Sequence, residues 1–108
     1  MECINVRKVL MKIGISAHLQ GHHYILEAVN IIGEQKIHTS MITIYEMIAK
    51  SYGTSNGAVE RAIRHSIQQA YKNSYVLKEI YETLPDNSAF LYDLVFNLDV
   101  FENKIREV

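Results

Sequence analysis

Apolar residues recur at helical spacing along almost the whole chain. Val6, Leu10 and Ile13 mark a short first helix that Gly14 ends. Ile25, Ala28, Val29 and Ile32 fall at i, i+3, i+4 and i+7 and predict a second helix, stopped by Gly33. Thr39 and Ser40 are candidate N-caps for a third helix carrying Met41, Ile44, Ile48 and Tyr52. The longest clean stripe, Val59, Ala62, Ile63, Ile67, Ala70 and Tyr71, predicts a helix over roughly 56–72. Val76, Leu77, Ile80, Tyr81 and Leu84 predict a short helix ending at Pro85. Asn87 or Ser88 then caps a last helix built on Leu91, Leu94, Val95, Leu98 and Ile105. No period-two alternation is long enough for a strand. About six helices with short connections predict an all-α fold in a single domain over residues 1–108.

Composition agrees with a folded domain: 48% of the 108 residues are hydrophobic and 21% charged, which argues against disorder. One cysteine, Cys3, excludes a disulfide scaffold and any cysteine-based zinc site. No apolar run reaches the length of a membrane span, and the charged N-terminus does not read as a signal peptide. A cytoplasmic protein with no membrane partner is expected. The net charge of −1 is a poor match to a nucleic-acid binder until it is divided along the chain. Residues 1–53 carry +1, residues 54–72 carry +2, and residues 73–108 carry −4. The positive segment coincides with the longest helix, and phosphate contacts depend on such local placement.

The segment Tyr45–Arg64, YEMIAKSYGTSNGAVERAIR, meets the residue demands of a helix-turn-helix, placed at about 43–72. Ala49 supplies the small residue where two helices pack closely. Gly53, four residues later, permits the positive φ of the turn. Val59, six further on, anchors the second helix, with Ile48, Tyr52 and Ala62 at other inward positions and Ser55 as its N-cap. The outward face of that helix carries Asn56, Gly57, Glu60, Arg61, Arg64, His65, Gln68 and Lys72. Arginine can bridge guanine O6 and N7, glutamate can accept from cytosine N4, and asparagine or glutamine can pair with adenine. Asn56, Glu60, Arg61 and Arg64 are therefore the expected base contacts, and Ser55, His65, Gln68 and Lys72 the expected phosphate contacts. A solvated charged face, with Glu60 simply pairing with Arg64, is the plain alternative.

At these residues the chain resembles a known family. IAKSYGTSNGAVERAIRHSIQQAY is similar to the recognition region of the C-terminal DNA-binding effector domains of stage-zero sporulation protein A, and Val59-Glu60-Arg61-Ala62-Ile63-Arg64-His65 matches its most distinctive run. Ile13–Gly21 resembles the family's opening, Glu27-Ala28 its next helix, and Pro85–Phe90 the entry to its last helix. The resemblance covers roughly residues 8–104 and is strongest over 44–71. It implies a six-helix domain that binds a short box in double-stranded DNA, pairs head-to-tail as a homodimer on tandem boxes, and contacts RNA polymerase sigma subunits, as a regulator of sporulation transcription. The family carries a phosphorylated receiver domain ahead of this region. Here Met1 stands just before it, which favours a stand-alone relative over an excised fragment. Gly57-Ala58 replaces the usual Ser-Arg, and residues 73–84 diverge where sigma contact is expected.

Two other function classes follow from the residues. One is an interaction module that dimerises with, or titrates, a full-length relative without binding DNA. The other is a histidine-metal enzyme, since His18 and His22 stand at i, i+4 with His23 adjacent. No glutamate follows His18 in a zinc-protease pattern, Gly21 interrupts, and no third ligand is evident, so these histidines are read as surface or partly packed residues. Cys3 lacks a positioned histidine for nucleophilic chemistry, the five glycines form no phosphate loop, and the tyrosines read as packing residues rather than a stacking platform. The expectation is a DNA-binding protein, not an enzyme, with no cofactor and no metal.

Overall fold

A computed structural model describes residues 3–34 and 39–107. In order they form α1 (Cys3–Lys12), α2 (Gln20–Glu34), α3 (Met41–Tyr52), α4 (Asn56–Asn73), α5 (Tyr75–Ile80), α6 (Asn87–Phe96) and α7 (Leu98–Arg106). Strands are absent among the described residues, so the fold is all-α. The Cys3 side chain lies outside what is described.

Helix α2 is the centre. It packs against α1, α3, α4 and α6, and buries Tyr24, Ile25, Leu26, Ala28, Val29, Ile31 and Ile32. Around it Val6, Leu10, Ile13, Ile44, Ile48, Val59, Ile63, Ile67 and Leu77 complete most of the apolar stripe read from the sequence. Each fully buried aliphatic side chain contributes about 1.5–3 kcal/mol of burial free energy. That sum, rather than surface charge, holds α4 in place.

The helix boundaries differ from the sequence reading in four places. Gly33 does not stop α2, which runs on to Glu34; a glycine inside a helix costs only about 1 kcal/mol, and the buried face that precedes it, through Ile31 and Ile32, outweighs that cost. Helix α5 ends at Ile80, well before Pro85. There the Tyr71 hydroxyl donates to the carbonyls of Tyr81 (3.2 Å) and Glu82 (3.0 Å), while the Tyr81 hydroxyl donates to Asp93 Oδ2 at 2.6 Å. These bonds hold the chain at residues 81–82, where Tyr81 is extended at φ −118° and ψ 124°. The N-cap of α6 is Asp86, whose carboxylate accepts from Ala89 N at 2.8 Å, and not Asn87 or Ser88. Lastly, the predicted final helix is two. Asn97 leaves the helical region (φ −133°, ψ 38°) and its amide donates to Asp93 Oδ1 at 3.0 Å. The break turns α7 back onto α1 and α5, where Phe101 is fully buried edge-to-face against Phe90, with centroids 5.8 Å apart.

Candidate nucleic-acid interface

Helices α3 and α4 are joined by three residues, Gly53, Thr54 and Ser55. Each residue has a local reason. Ser40 caps α3 by accepting from Thr43 N at 3.2 Å. Gly53 sits in the left-handed region at φ 66° and ψ 39°, and its N–H and that of Thr54 both return to the Ala49 carbonyl. Ser55 is extended, and its Oγ accepts from Ala58 N at 3.1 Å to start α4. Ala49 and Val59 are buried at the corner, as the helix-turn-helix spacing requires. Tyr52 is the exception. It is 43% exposed and meets Tyr24 edge-on at 5.0 Å rather than filling the corner.

A β-branched residue is strained at positive φ. Gly53→Val is therefore expected to destabilise the protein by about 1–3 kcal/mol. A chemical-denaturation midpoint unchanged from wild type would contradict the strain argument, because open space surrounds a Cβ there and no steric clash enters.

Helix α4 buries Val59, Ile63, Ser66, Ile67 and Ala70. The residues expected to touch DNA fall into three groups. Ser55 and Asn56 stand exposed at the N-terminal end. Arg61, His65 and Lys72, all exposed, share the row opposite the buried stripe, with Gln68 beside them. Glu60 and Arg64 lie on the flank facing the loop before α6, and Arg64 Nη1 donates to Glu60 Oε1 at 2.8 Å. The plain alternative of an i, i+4 pair is thus present in the free protein. Such an exposed pair is worth about 0.3–0.5 kcal/mol, well below the roughly 1–3 kcal/mol of a bidentate base contact. The pair opens readily for a stronger partner.

One polar residue braces this flank from within. Asn87, buried, donates through Nδ2 to the Tyr45 hydroxyl (3.0 Å) and to the Glu60 carbonyl (3.1 Å), tying α6 to α3 and α4. Burial pushes the Tyr45 phenol above its ordinary range, and the Asn87 bond partly offsets that. Beside the brace lies an open groove of about 430 Å³, walled by Glu60, Arg64 and Gln68 on one side and by residues 84–88 on the other. Asn87 reads in sequence as an N-cap. Only the positions of Tyr45 and Glu60 in the fold reveal that it braces instead.

The three histidines do not converge. His22 is fully buried and its Nδ1–H donates to the Ile15 carbonyl at 3.0 Å, while its Nε2 is buried without a partner. His23 is exposed and its Nε2 meets the Ala17 carbonyl at 2.9 Å. His18 lies on the surface before α2. Among the described residues no group of three histidines, cysteines or carboxylates could hold a metal ion. Likewise, no helix among them is long and apolar enough to cross a membrane.

Burial is the main cause that lowers the His22 pKa below its ordinary 6.5, with smaller contributions from His23 and Arg7 acting against the Ile15 bond. The unfolded chain then binds this proton at higher pH than the folded one. Stability is undiminished above the unfolded value and falls as pH drops below it, until the folded His22 also protonates. The melting temperature of wild type should fall between about pH 7.5 and pH 5 more steeply than that of His22→Gln. Parallel profiles for the two proteins would contradict this.

The family model described as "Sporulation initiation factor Spo0A C terminal" matches residues 6–95, which includes α3, the Gly53 turn, α4 and the Asn87 brace. With the all-α fold and the helix-turn-helix corner in agreement, the chain belongs to this family of DNA-binding effector domains of a sporulation regulator.

Proposed function

We propose that this protein binds double-stranded DNA sequence-specifically, with α4 in the major groove, and so regulates transcription in sporulation control from the cytoplasm. One observation carries the reading: the Gly53 corner projects a polar face of α4 outward while five buried residues lock the opposite face into the core. Arg61 and Arg64 act on guanine edges, Glu60 on cytosine, and Asn56 on a base near the helix start. Ser55, His65, Gln68 and Lys72 act on phosphates. Ser55 accepts from Ala58 N and keeps its O–H as a donor, next to the outward amides of the first helical turn.

Only three full cations stand on this helix, so the phosphate contribution is small and a single copy binds modestly at physiological salt. Two copies on adjacent boxes gain occupancy through effective concentration. The competing reading, a module that pairs with a full-length relative and ignores DNA, draws on the Glu60–Arg64 pair, which already satisfies one arginine.

Selection of bound sites from random duplex DNA separates the two. The proposal expects an enriched motif, tighter binding to two copies of it than to one, and affinity that falls with salt. Lys72→Ala should weaken all sequences alike and reduce the salt slope by about one. Recovery of no motif, or equal binding to one copy and two, would count against the proposal and its tandem arrangement respectively.

A further inference from the structure

Gly57 and Arg61 stand one turn apart on the same face of α4. Side chains on a helix lean toward its N-terminus, so Arg61 extends back over Gly57. A Cβ built on Gly57 would lie 3.0 Å from Arg61 Nη1, 3.7 Å from its Cζ and 3.8 Å from Nη2. All three nearest atoms belong to that one guanidinium. The guanidinium therefore lies over the bare backbone strip that glycine leaves open, with Nη1 nearest to it. The two arginines of this helix are held differently. Arg64 pairs with the Glu60 carboxylate at 2.8 Å, whereas no ion pair to Arg61 occurs among the described residues. What orients Arg61 is the surface beneath it.

Glycine at this position is unfavourable for the helix itself, since alanine has the higher helix propensity. Gly57 is not at a turn, its φ is not positive, and no backbone crowds it. The side-chain atoms nearest to its missing side chain are those of Arg61. We infer that Gly57 is a specificity-determining residue: by leaving the first turn of α4 bare, it lets the Arg61 guanidinium lie along the helix and sets the direction from which that group meets a guanine edge. Any side chain at 57 lifts the guanidinium away from the helix and tilts its fork. A bidentate contact needs both donors in one plane with O6 and N7, so the tilt weakens base discrimination more than overall attraction to DNA. This inference rests on the DNA-binding reading above and on Arg61 as one of its base contacts.

The test uses the duplex selected from a random pool by the wild-type protein, together with its variants at the base pair whose discrimination Arg61→Ala removes. Fluorescence anisotropy gives the affinity ratio between preferred and altered pair for wild type, Gly57→Ala, Arg61→Ala and the double variant. Gly57→Ala is expected to lower that ratio by about fivefold or more, while ratios at the other base pairs hold. In the Arg61→Ala background the same change at 57 should alter the ratio by less than about twofold, because the group it acts through is gone. Alanine favours the helix, so Gly57→Ala should melt no lower than wild type. A lower melt would show that position 57 is not the open strip described and would overturn the inference. If Gly57→Ala keeps the full ratio while Arg61→Ala abolishes it, the inference fails and the DNA reading stands. If Arg61→Ala changes no base pair at all, both fail together.

Discussion

Gly21→Ala is expected to destabilise the protein by about 1–3 kcal/mol, the cost of forcing extra volume into a close-packed contact. Gly21 is buried in the first turn of α2, where that helix crosses α4. A Cβ there would lie 2.5 Å from the Ala62 carbonyl oxygen and closer still to the Ser66 hydroxyl. The hydroxyl belongs to a short side chain that already donates to the Ala62 carbonyl at 2.9 Å, and the carbonyl is helix backbone, so neither retreats cheaply. The two helices must separate instead. Alanine's advantage in helix propensity, about 0.5–1 kcal/mol, acts in the opposite direction and is too small to win. Because α4 carries the outward face, the same change should also weaken DNA binding. Ser66→Ala in the Gly21→Ala background removes one of the two clashes and should recover part of the loss. Urea denaturation of the single and double variants measures both effects, and a Gly21→Ala protein as stable as wild type would mean that α2 and α4 do not approach this closely.

Arg61→Ala and Arg64→Ala should each cost about 1–3 kcal/mol of affinity on the preferred DNA site. Both side chains are exposed and neither lies on the buried stripe, so melting temperatures should stay near wild type. The two should not be equal. Arg61 has no carboxylate partner among the described residues, so its full contact is lost. Arg64 must first leave Glu60, which subtracts a few tenths of a kcal/mol from its net contribution. Removing Arg64 also leaves the Glu60 carboxylate unpaired beside DNA, where it repels phosphate. Glu60→Gln should then partly restore Arg64→Ala on non-specific duplex. Unchanged affinity in both arginine variants, read by anisotropy at one fixed salt concentration, would remove the base-reading role from this face.

The corner of the helix-turn-helix was legible because each of its demands is local. Ala49, Gly53, Ser55 and Val59 announce a close approach, a left-handed turn, a cap and an anchor by residue type and spacing alone. The same holds for the α4 stripe, whose period survives from Val59 to Tyr71. What failed to show depends on groups distant in sequence. Gly21 reads as an interruption until the backbone of α4 is known to lie against it. Asn87 and Asp86 are both good caps, and the choice between them was made by Tyr45 and the Glu60 carbonyl, some 42 and 27 residues away. Asn97 sits within an unbroken apolar stripe, so periodicity passes through it, whereas the core asks the chain to turn there and bury Phe101. Phe90 and Phe101, both fully buried, fell outside the stripe drawn for the last helix. On the outward face, spacing grouped all the polar residues of α4 together. The fold divides them, with Glu60 and Arg64 turned toward residues 84–88 and Arg61, His65 and Lys72 on the crest.

The most direct measurement is the backbone amide spectrum of the protein titrated with its selected duplex. The largest shifts are expected on the segment from Ser55 to Lys72, strongest at the first turn of α4 and along the Arg61, His65 and Gln68 positions, with α1, α5 and α7 little changed. Shifts concentrated on α1, α5 and α7, or a spectrum unmoved by any duplex at low salt, would contradict the assignment of α4 as the DNA-reading helix.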